Sequence, residues 1–373
     1  MANTLTPVSE AEDALYQPVR ARETVLAQLN DLIATESGRV SYWLEGLRRG
    51  IVTNLTEHIA PGDFPTLFGV AIQRDMQARY ALNISDWRAW TKMGQVPNFN
   101  EHERHKVYGQ DNLLPQVLPG APYQTTPSGT AHYHRQVFKW GRRFDILWES
   151  IINDAMGAFS DISARFADAV TRTQAQHLTE VYSSAAGPNA GQFGAPIADV
   201  DGQNVTNQGV LPFTAANLLA TLSLMARQTD PNGEIIKVKG VHVVVPTSLF
   251  FGASAIMTSA LLAQIAGAVA LPTTNIIPQL SLKLHEDPDL EVVDVSGTGD
   301  TTWYVFAEPG ESAAIGMDYL AGNVGPDLRI KSSGSSANPL EGDFDNDGIS
   351  YRVRDVHGAN HIDPRYCYAQ VGP

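Results

Sequence analysis

NFNEHERHKVYGQDNLLPQVLPGAPYQTTPSGTAHYHRQVFKWGRRFDIL, residues 98–147, is the stretch on which the fold turns. Two β-prone runs, Glu101–Tyr108 and Thr130–Trp140, enclose a middle rich in proline and glycine, the pattern of a long hairpin with an irregular tip. Polar and apolar side chains alternate through HYHRQVFKW, so one face of the ribbon needs cover. A two-stranded ribbon has no core of its own, and the cover must come from another element or another copy of the chain.

Downstream, residues 153–186 carry the clearest helical signal. Phe159, Ile162, Phe166, Val170, Thr173, His177 and Val181 recur every three or four positions, with Asn153 or Ser160 available as N-caps and Gly187-Pro188 as a stop. At 1.5 Å per residue the element would span about 35 to 45 Å, a strut more than an ordinary globular helix. A second helix is predicted over Thr214–Gln228, followed by the strand VKGVHVVVP, whose valines read as buried on both faces of a sheet covered by helices. Further strands are predicted at Leu290–Val295, Thr302–Ala307 and Ser312–Tyr319, and in LRIKSS and GISYRVRDVHG. In the last of these, Ile349, Tyr351 and Val353 face one way and Ser350, Arg352 and Arg354 the other.

Upstream, Leu67, Ala71, Met76, Tyr80 and Trp87 punctuate a helix and then a turn region, while residues 1–60 are helical only in patches with a thin apolar stripe. Such a segment suits an arm laid on a partner surface. The order of elements is α+β, with no internal repeat and no βαβ alternation. Gly240–Leu282 contains no Asp, Glu, Lys or Arg, and Leu249–Leu271 is long enough for a bilayer. It is rich in Ala, Ser and Thr and lacks a basic flank, so buried or interface helices are expected there and no membrane span.

Composition narrows the function. Of 373 residues, 43% are apolar and 18% charged, the balance of a folded chain, and 31 glycines with 22 prolines mark many turns. The net charge of −14 disfavours tight nucleic-acid binding, which relies on Lys and Arg neutralising phosphates. Cys367 is the one cysteine, which excludes an intrachain disulfide and a thiol-rich zinc site and fits synthesis in a reducing cytosol. The opening MANTLTPVSEAEDALYQ lacks the basic and apolar regions of a secretory signal. No nucleophile elbow, Walker loop, dinucleotide fingerprint or HExxH helix occurs, so no catalytic site and no cofactor is expected.

From Phe64 to the end the sequence resembles the major capsid proteins of tailed bacteriophages, the family with the Hong Kong 97-type fold, in the branch associated with a prohead protease. The resemblance runs in order through Phe64-Pro65-Thr66-Leu67 with Trp87, Val96-Pro97-Asn98-Phe99, Phe138–Phe144, Ile152-Asn153-Asp154 with Gly157-Ala158-Phe159, Val243–Pro246, Trp303–Pro309, and Asp347–Arg354 with His357-Gly358-Ala359. The loop 187–212 departs by lacking a His-and-Asn cluster common among relatives, and no protease domain is attached. The resemblance implies an N-terminal arm and lead-in helices (1–95), an extended E-loop (96–142), a peripheral domain with a spine helix (143–210), an axial domain (211–325) and a return to the peripheral domain (326–373). It further implies a virion shell assembled in the host cytoplasm from pentamers and hexamers of this chain. Scaffolding, portal and decoration proteins would be its other partners, and an acidic wall suits a container that must not adsorb its DNA. A hydrolase without a recognisable motif and a tail protein are the competing readings.

The residues expected to make subunit contacts are Lys106, Val107, Tyr108, Leu113, Leu114, Tyr123, Tyr133, Phe138, Lys139 and Trp140. Some members of the family join lysine to asparagine between subunits, and Lys106 and Lys139 lie in the right region; a solvated edge charge is the plainer reading of both. His102, His105, His132 and His134 could meet across the hairpin arms as a metal clip, against the plainer reading of solvated or interface histidines. Asp343-Phe344-Asp345-Asn346-Asp347-Gly348 resembles the start of a calcium loop, but Arg354 stands where a bidentate Glu belongs, which favours a turn.

Overall fold

The computed structural model describes residues 64–82, 85–108, 114, 116–123, 125, 129–147, 156–194, 197–198, 204–230, 233–266, 269–310, 313–331 and 348–372. The arm expected over 1–60, the N-cap candidate Asn153 and the Asp343–Asp347 turn lie outside them. The strands are β1 (Lys92–Val96), β2 (His102–Tyr108), β3 (Gly129–Arg135), β4 (Phe138–Leu147), β5 (Ser183–Ser184), β6 (Gly187–Pro188), β7 (Ile197–Ala198), β8 (Asn204–Val205) and β9 (Gln208–Gly209). They continue with β10 (Gly240–Val245), β11 (Leu261–Ala266), β12 (Val269–Thr274), β13 (Lys283–Glu286), β14 (Trp303–Ala307), β15 (Ile315–Leu320), β16 (Asp327–Ile330), β17 (Gly348–His361) and β18 (Cys367–Gln370). The main helices are Phe64–Leu82, Met156–Tyr182, Ala215–Ala226 and Thr247–Thr258, so the fold class is α+β as the sequence predicts.

Two compact units divide the chain, one drawn from residues 1–83, 141–168 and 326–354, the other from 84–140, 169–325 and 355–373. In the first, helix Phe64–Leu82 packs on β16, and Phe144 lies between Phe166 and Tyr351 with ring centroids 4.7 and 5.1 Å apart. β16 pairs antiparallel with the start of β17, Leu328 opposite Val353. The predicted alternation holds here: Tyr351 and Val353 are buried while Arg352 is exposed and Arg354 bonds Asp327 at 2.8 Å. A side chain at Gly141 would meet the Val353 carbonyl at 2.6 Å, so only glycine lets the two backbones approach.

The second unit is built on a five-stranded sheet in the order β13-β10-β14-β18-β9. Because side chains alternate sides along a strand, its two faces can be read off residue by residue. Val243, Val245, Trp303, Val305 and Tyr368 pack with Leu218 and Met225 of helix Ala215–Ala226 and Ala253 of helix Thr247–Thr258. Val244, Tyr304, Phe306, Cys367 and Ala369 pack on the other side with Leu178, Val181 and Tyr182 of the long helix and with Trp87, Trp90 and Phe193. The valine run is thus covered on both faces. Thr214 caps its helix by accepting from the Asn217 N–H at 3.2 Å, and the long helix ends in the two-residue ladder of β5 with β6, where Gly187 has φ +105.

Three local predictions are corrected. The run Thr130–Trp140 is not one strand: β3 stops at Arg135 and β4 starts at Phe138, with Val137 buried beside Val96 and Val356 between them. Leu290–Val293 is a turn of helix, not a strand, because Pro288-Asp289 opens it and the Val293 and Asp294 amides bond back to the Asp289 and Leu290 carbonyls at 2.9 Å. The second half of the charge-free stretch is the β11–β12 hairpin instead of a helix. Among the described residues no helix is long and apolar enough to cross a membrane.

One polar pair is enclosed in this unit. His242 and His285, on the neighbouring strands β10 and β13, are 2.9 Å apart, and the second nitrogen of His242 lies 3.1 Å from Glu308. Burial, then repulsion from His242, pulls His285 down to about 4, with Asp86 opposing and Lys283 assisting, and burial likewise lowers His242. A histidine ordinarily titrates near 6.5, so the unfolded chain takes up this proton first as pH falls. Stability supplied by the neutral pair is complete above about pH 6.5 and is lost toward pH 4, on the order of 3 kcal/mol for His285. Urea unfolding of the protein and its His285→Gln variant at several pH values should show a flatter slope for the variant between pH 6.5 and 4.5. In the same assay Trp303→Ala should cost about 3–5 kcal/mol, since this ring is fully buried and edge-on to Phe213 at 5.0 Å.

Candidate self-assembly surface

β2 and β3 pair antiparallel with His102 opposite Arg135 and Tyr108 opposite Gly129. Residues directly opposite share a face, so the register sorts the ribbon into two sides. His102, Arg104, Lys106, Tyr133 and Arg135 occupy one; Glu103, His105, Val107, Thr130, His132 and His134 occupy the other.

The first side is held against its own unit. Lys106 Nζ donates to Asp363 Oδ2 at 2.8 Å and to the Tyr366 hydroxyl at 3.2 Å, and lies 4.4 Å from the Tyr366 ring centroid. Burial would lower the Lys106 pKa, but the charge and hydrogen bond of Asp363, helped by Tyr366, outweigh it and the net shift is upward. Asp363 is enclosed, caps the short Pro364–Tyr366 turn by accepting from the Arg365 N–H at 3.0 Å, and also lies 3.5 Å from the Arg365 guanidinium. Arg135 faces the buried Asp318 at 3.6 Å, and Asn360 donates to the same carboxylate at 3.2 Å. A Cβ at Gly358 would clash with the Gln136 carbonyl, so glycine alone lets β17 pass the ribbon's base.

The expected contact residues separate accordingly. Tyr133 is buried within its own unit and Lys106 is locked to Asp363, so neither offers a free contact; Lys106 is also no solvated edge charge. The reason is the register, which turns even-numbered positions of β2 and odd-numbered positions of β3 toward the body of the unit. Val107, Leu114, Tyr123, Phe138, Lys139 and Trp140 are exposed, Leu114 to 91% and Tyr123 to 87%; Val117 and Leu118 join them. Trp140 is tethered even so: its ring lies 4.0 Å from that of His177, and its indole N–H donates to the His357 carbonyl at 3.3 Å. His357 in turn bonds His177 at 3.0 Å and Asp355 at 2.8 Å. Leu113 and the Tyr108 side chain lie outside the described residues.

Of the four hairpin histidines, the structure joins His105 and His132 at 2.7 Å; His102 bonds Asn98 at 2.8 Å and His134 pairs with Glu101 at 3.0 Å. Asp363, Asp318 and Gln192 were not singled out by sequence reasoning. Only the turn signal of Asp363-Pro364 pointed to any of them. Gln192 and Asn207 fasten the loop 187–212 from inside: Asn207 donates to the Gln192 and Pro364 carbonyls at 2.8 Å, and Gln192 donates to the Ala314 carbonyl at 3.1 Å. Burial pushes the Cys367 thiol beside them up to about 12, so this cysteine is a small apolar packing group and not a nucleophile.

The hairpin thus combines polar paired arms with exposed apolar groups on the segment between them. The family model described as phage capsid protein matches residues 135–370. The chain belongs to that family, to which the sequence resemblance pointed: it is a structural protein of the phage capsid shell. Curated proteins gave no match. Among solved structures it is similar to the asymmetric unit of the bacteriophage PhiM1 mature capsid, with a TM-score of 0.48 and 10% identity over 78% of this chain and 87% of that one. The capsid of cyanophage P-SCSP1u gives 0.46 and 11% over 78% and 88%, and a virus-like particle from Pyrococcus furiosus 0.44 and 9% over 80% and 97%.

Removing one partner of an enclosed ion pair leaves the other charge poorly compensated. Lys106→Met should therefore lower unfolding stability by about 1–3 kcal/mol, with Arg365 limiting the loss. Hydrogen exchange should accelerate in β2 and β3 in that variant, and Lys106→Arg should stay close to the native protein.

Proposed function

We propose that copies of this chain close into an icosahedral shell of Hong Kong 97-type organisation, built from pentamers and hexamers in the host cytoplasm around phage DNA. Residues 96–142 act as the E-loop that lies over a neighbouring subunit. Residues 143–210 form the peripheral domain with the helix Met156–Tyr182 as its spine, residues 211–325 form the axial domain, and 326–373 return to the peripheral domain. The segment 1–95 serves as arm and lead-in. The observation that carries this reading is the exposure of Leu114, Leu118 and Tyr123 on the segment between two paired arms, large apolar groups that a lone chain leaves in water.

Assembly of this kind uses heterologous contacts that close into rings. Each contact buries about 800 Å² per partner at the standard size. Several modest contacts on one subunit hold it far more firmly than any alone, while each stays weak enough to correct errors. A scaffolding protein and a portal are the partners such a shell requires, and the exposed outer surfaces leave room for a decoration protein. With a net charge of −14 the shell wall repels packaged DNA instead of binding it.

Deleting residues 111–128 tests the role of the hairpin. The expected result is a chain with native far-UV circular dichroism that no longer forms closed particles in negative-stain electron microscopy. Normal particles from that variant would refute the E-loop assignment.

A further inference from the structure

The outward side of the hairpin brings three metal-ligating side chains close together. Glu103 and His105 lie two residues apart on β2, hence on one face, and the register places His132 directly opposite His105. The two imidazoles meet through their Nδ1 atoms at 2.7 Å, with rings nearly perpendicular at a centroid distance of 4.7 Å. Glu103 Oε2 lies 3.7 Å from His132 Nδ1 and 3.9 Å from His105 Nε2. One donor atom from each of the three falls within 4.8 Å of the other two.

We propose that Glu103, His105 and His132 form a binding site for a divalent transition-metal ion of the zinc type. Two imidazoles with one carboxylate are a set such ions favour, and bonds of about 2.0–2.2 Å place tetrahedral ligand atoms roughly 3.3–3.5 Å apart. From His132 Nδ1 the separations are 2.7 Å to His105 Nδ1 and 3.7 Å to Glu103 Oε2, which bracket that spacing, so rotations of exposed side chains bring the three donors onto the ion. At 2.7 Å the two Nδ1 atoms are within hydrogen-bond distance, and a cation would take the place of that contact. The outer nitrogen of His132 faces the Thr130 hydroxyl at 3.4 Å, a contact that orients the ring with Nδ1 toward the ion. The backbone is fixed from behind, since Lys106 and Arg135 on the opposite side hold the same two strands to Asp363 and Asp318.

Three protein ligands leave a fourth position facing outward, for water or for a donor from whatever packs on this face. Glu101, bonded to His134 at 3.0 Å one step along the ribbon, places a further carboxylate near the site without entering it.

The test uses the full chain, free of any affinity tag, titrated with zinc chloride in a calorimeter and with cobalt chloride by visible absorption. One equivalent of Zn²⁺ should bind, weakening as pH falls because imidazole ligands must be unprotonated, and Co²⁺ should give the absorption of a tetrahedral site. The His105→Phe/His132→Phe double variant should lose the binding by more than about 100-fold. Glu103→Gln, which preserves volume, should weaken it and shift the Co²⁺ spectrum even if the double variant fails to fold. Absence of uptake by the native chain, unchanged Zn²⁺ binding by a folded double variant, or an unaltered Glu103→Gln spectrum would each overturn the site.

Discussion

Alternation of side chains along extended backbone is the constraint from which the rest of this structure follows. In β10, β14 and β18 both sets of alternating positions are apolar, so the sheet must be sandwiched; helices Ala215–Ala226 and Thr247–Thr258 take one face and the end of the long helix with Trp87 and Trp90 the other. At the start of β17 one set is apolar and the other charged, and Tyr351 and Val353 are buried while Arg352 meets water. In the β2–β3 ribbon neither set is apolar enough to make a core, and chemistry decides the sides instead: Arg104, Lys106 and Arg135 face in, while Glu103, His105, His132 and His134 face out.

Turning cations inward is costly unless acceptors wait for them. Asp363 and Asp318 meet that requirement from β15 and the segment before the Pro364–Tyr366 turn, where neighbouring groups already hold both carboxylates. Burial raises the Asp318 pKa, and Arg135, Arg104 and the Asn360 amide work against that rise. A ribbon fastened in this way has a defined direction without an apolar core. A hydrophobic inner face would have given similar stability with less control over register, because apolar contacts are non-directional while each ion pair fits one pairing of strands.

Elements with a strong period were legible in the sequence: the long helix within a few residues at each end, Thr214 as a cap, the valine strand as doubly buried, and the two arms of the hairpin. Failures came where the local signal was ambiguous between periods. Leu290–Val295 has the composition of a strand, but Pro288-Asp289 nucleates a helical turn and only Leu290 finds a core. The run through Gln136 and Val137 reads as continuous, yet Val137 is drawn aside to Val96 and Val356, a contact between segments more than 200 residues apart in the chain that no local pattern encodes. The partners of Lys106 and Arg135 were invisible for the same reason, since Asp363 and Asp318 lie far away in sequence. Histidines at 105 and 132 could be suspected of meeting, but choosing them over 102 and 134 needed the register.

That register also bears on how the proposed E-loop serves both a free subunit and a shell. Were the outward side apolar, the free hairpin would be an exposed sticky edge able to pair with any other strand, a hazard for a protein made in many copies. Glutamates and histidines there keep the arms soluble, and the most exposed apolar groups described on the hairpin, Leu114, Leu118 and Tyr123, lie beyond the ladder. On the proposed E-loop reading, affinity between copies resides in few residues next to an anchored base. On that reading partner choice depends on geometry, which errors in assembly fail to satisfy, and not on the amount of apolar surface, which any misplaced subunit could cover.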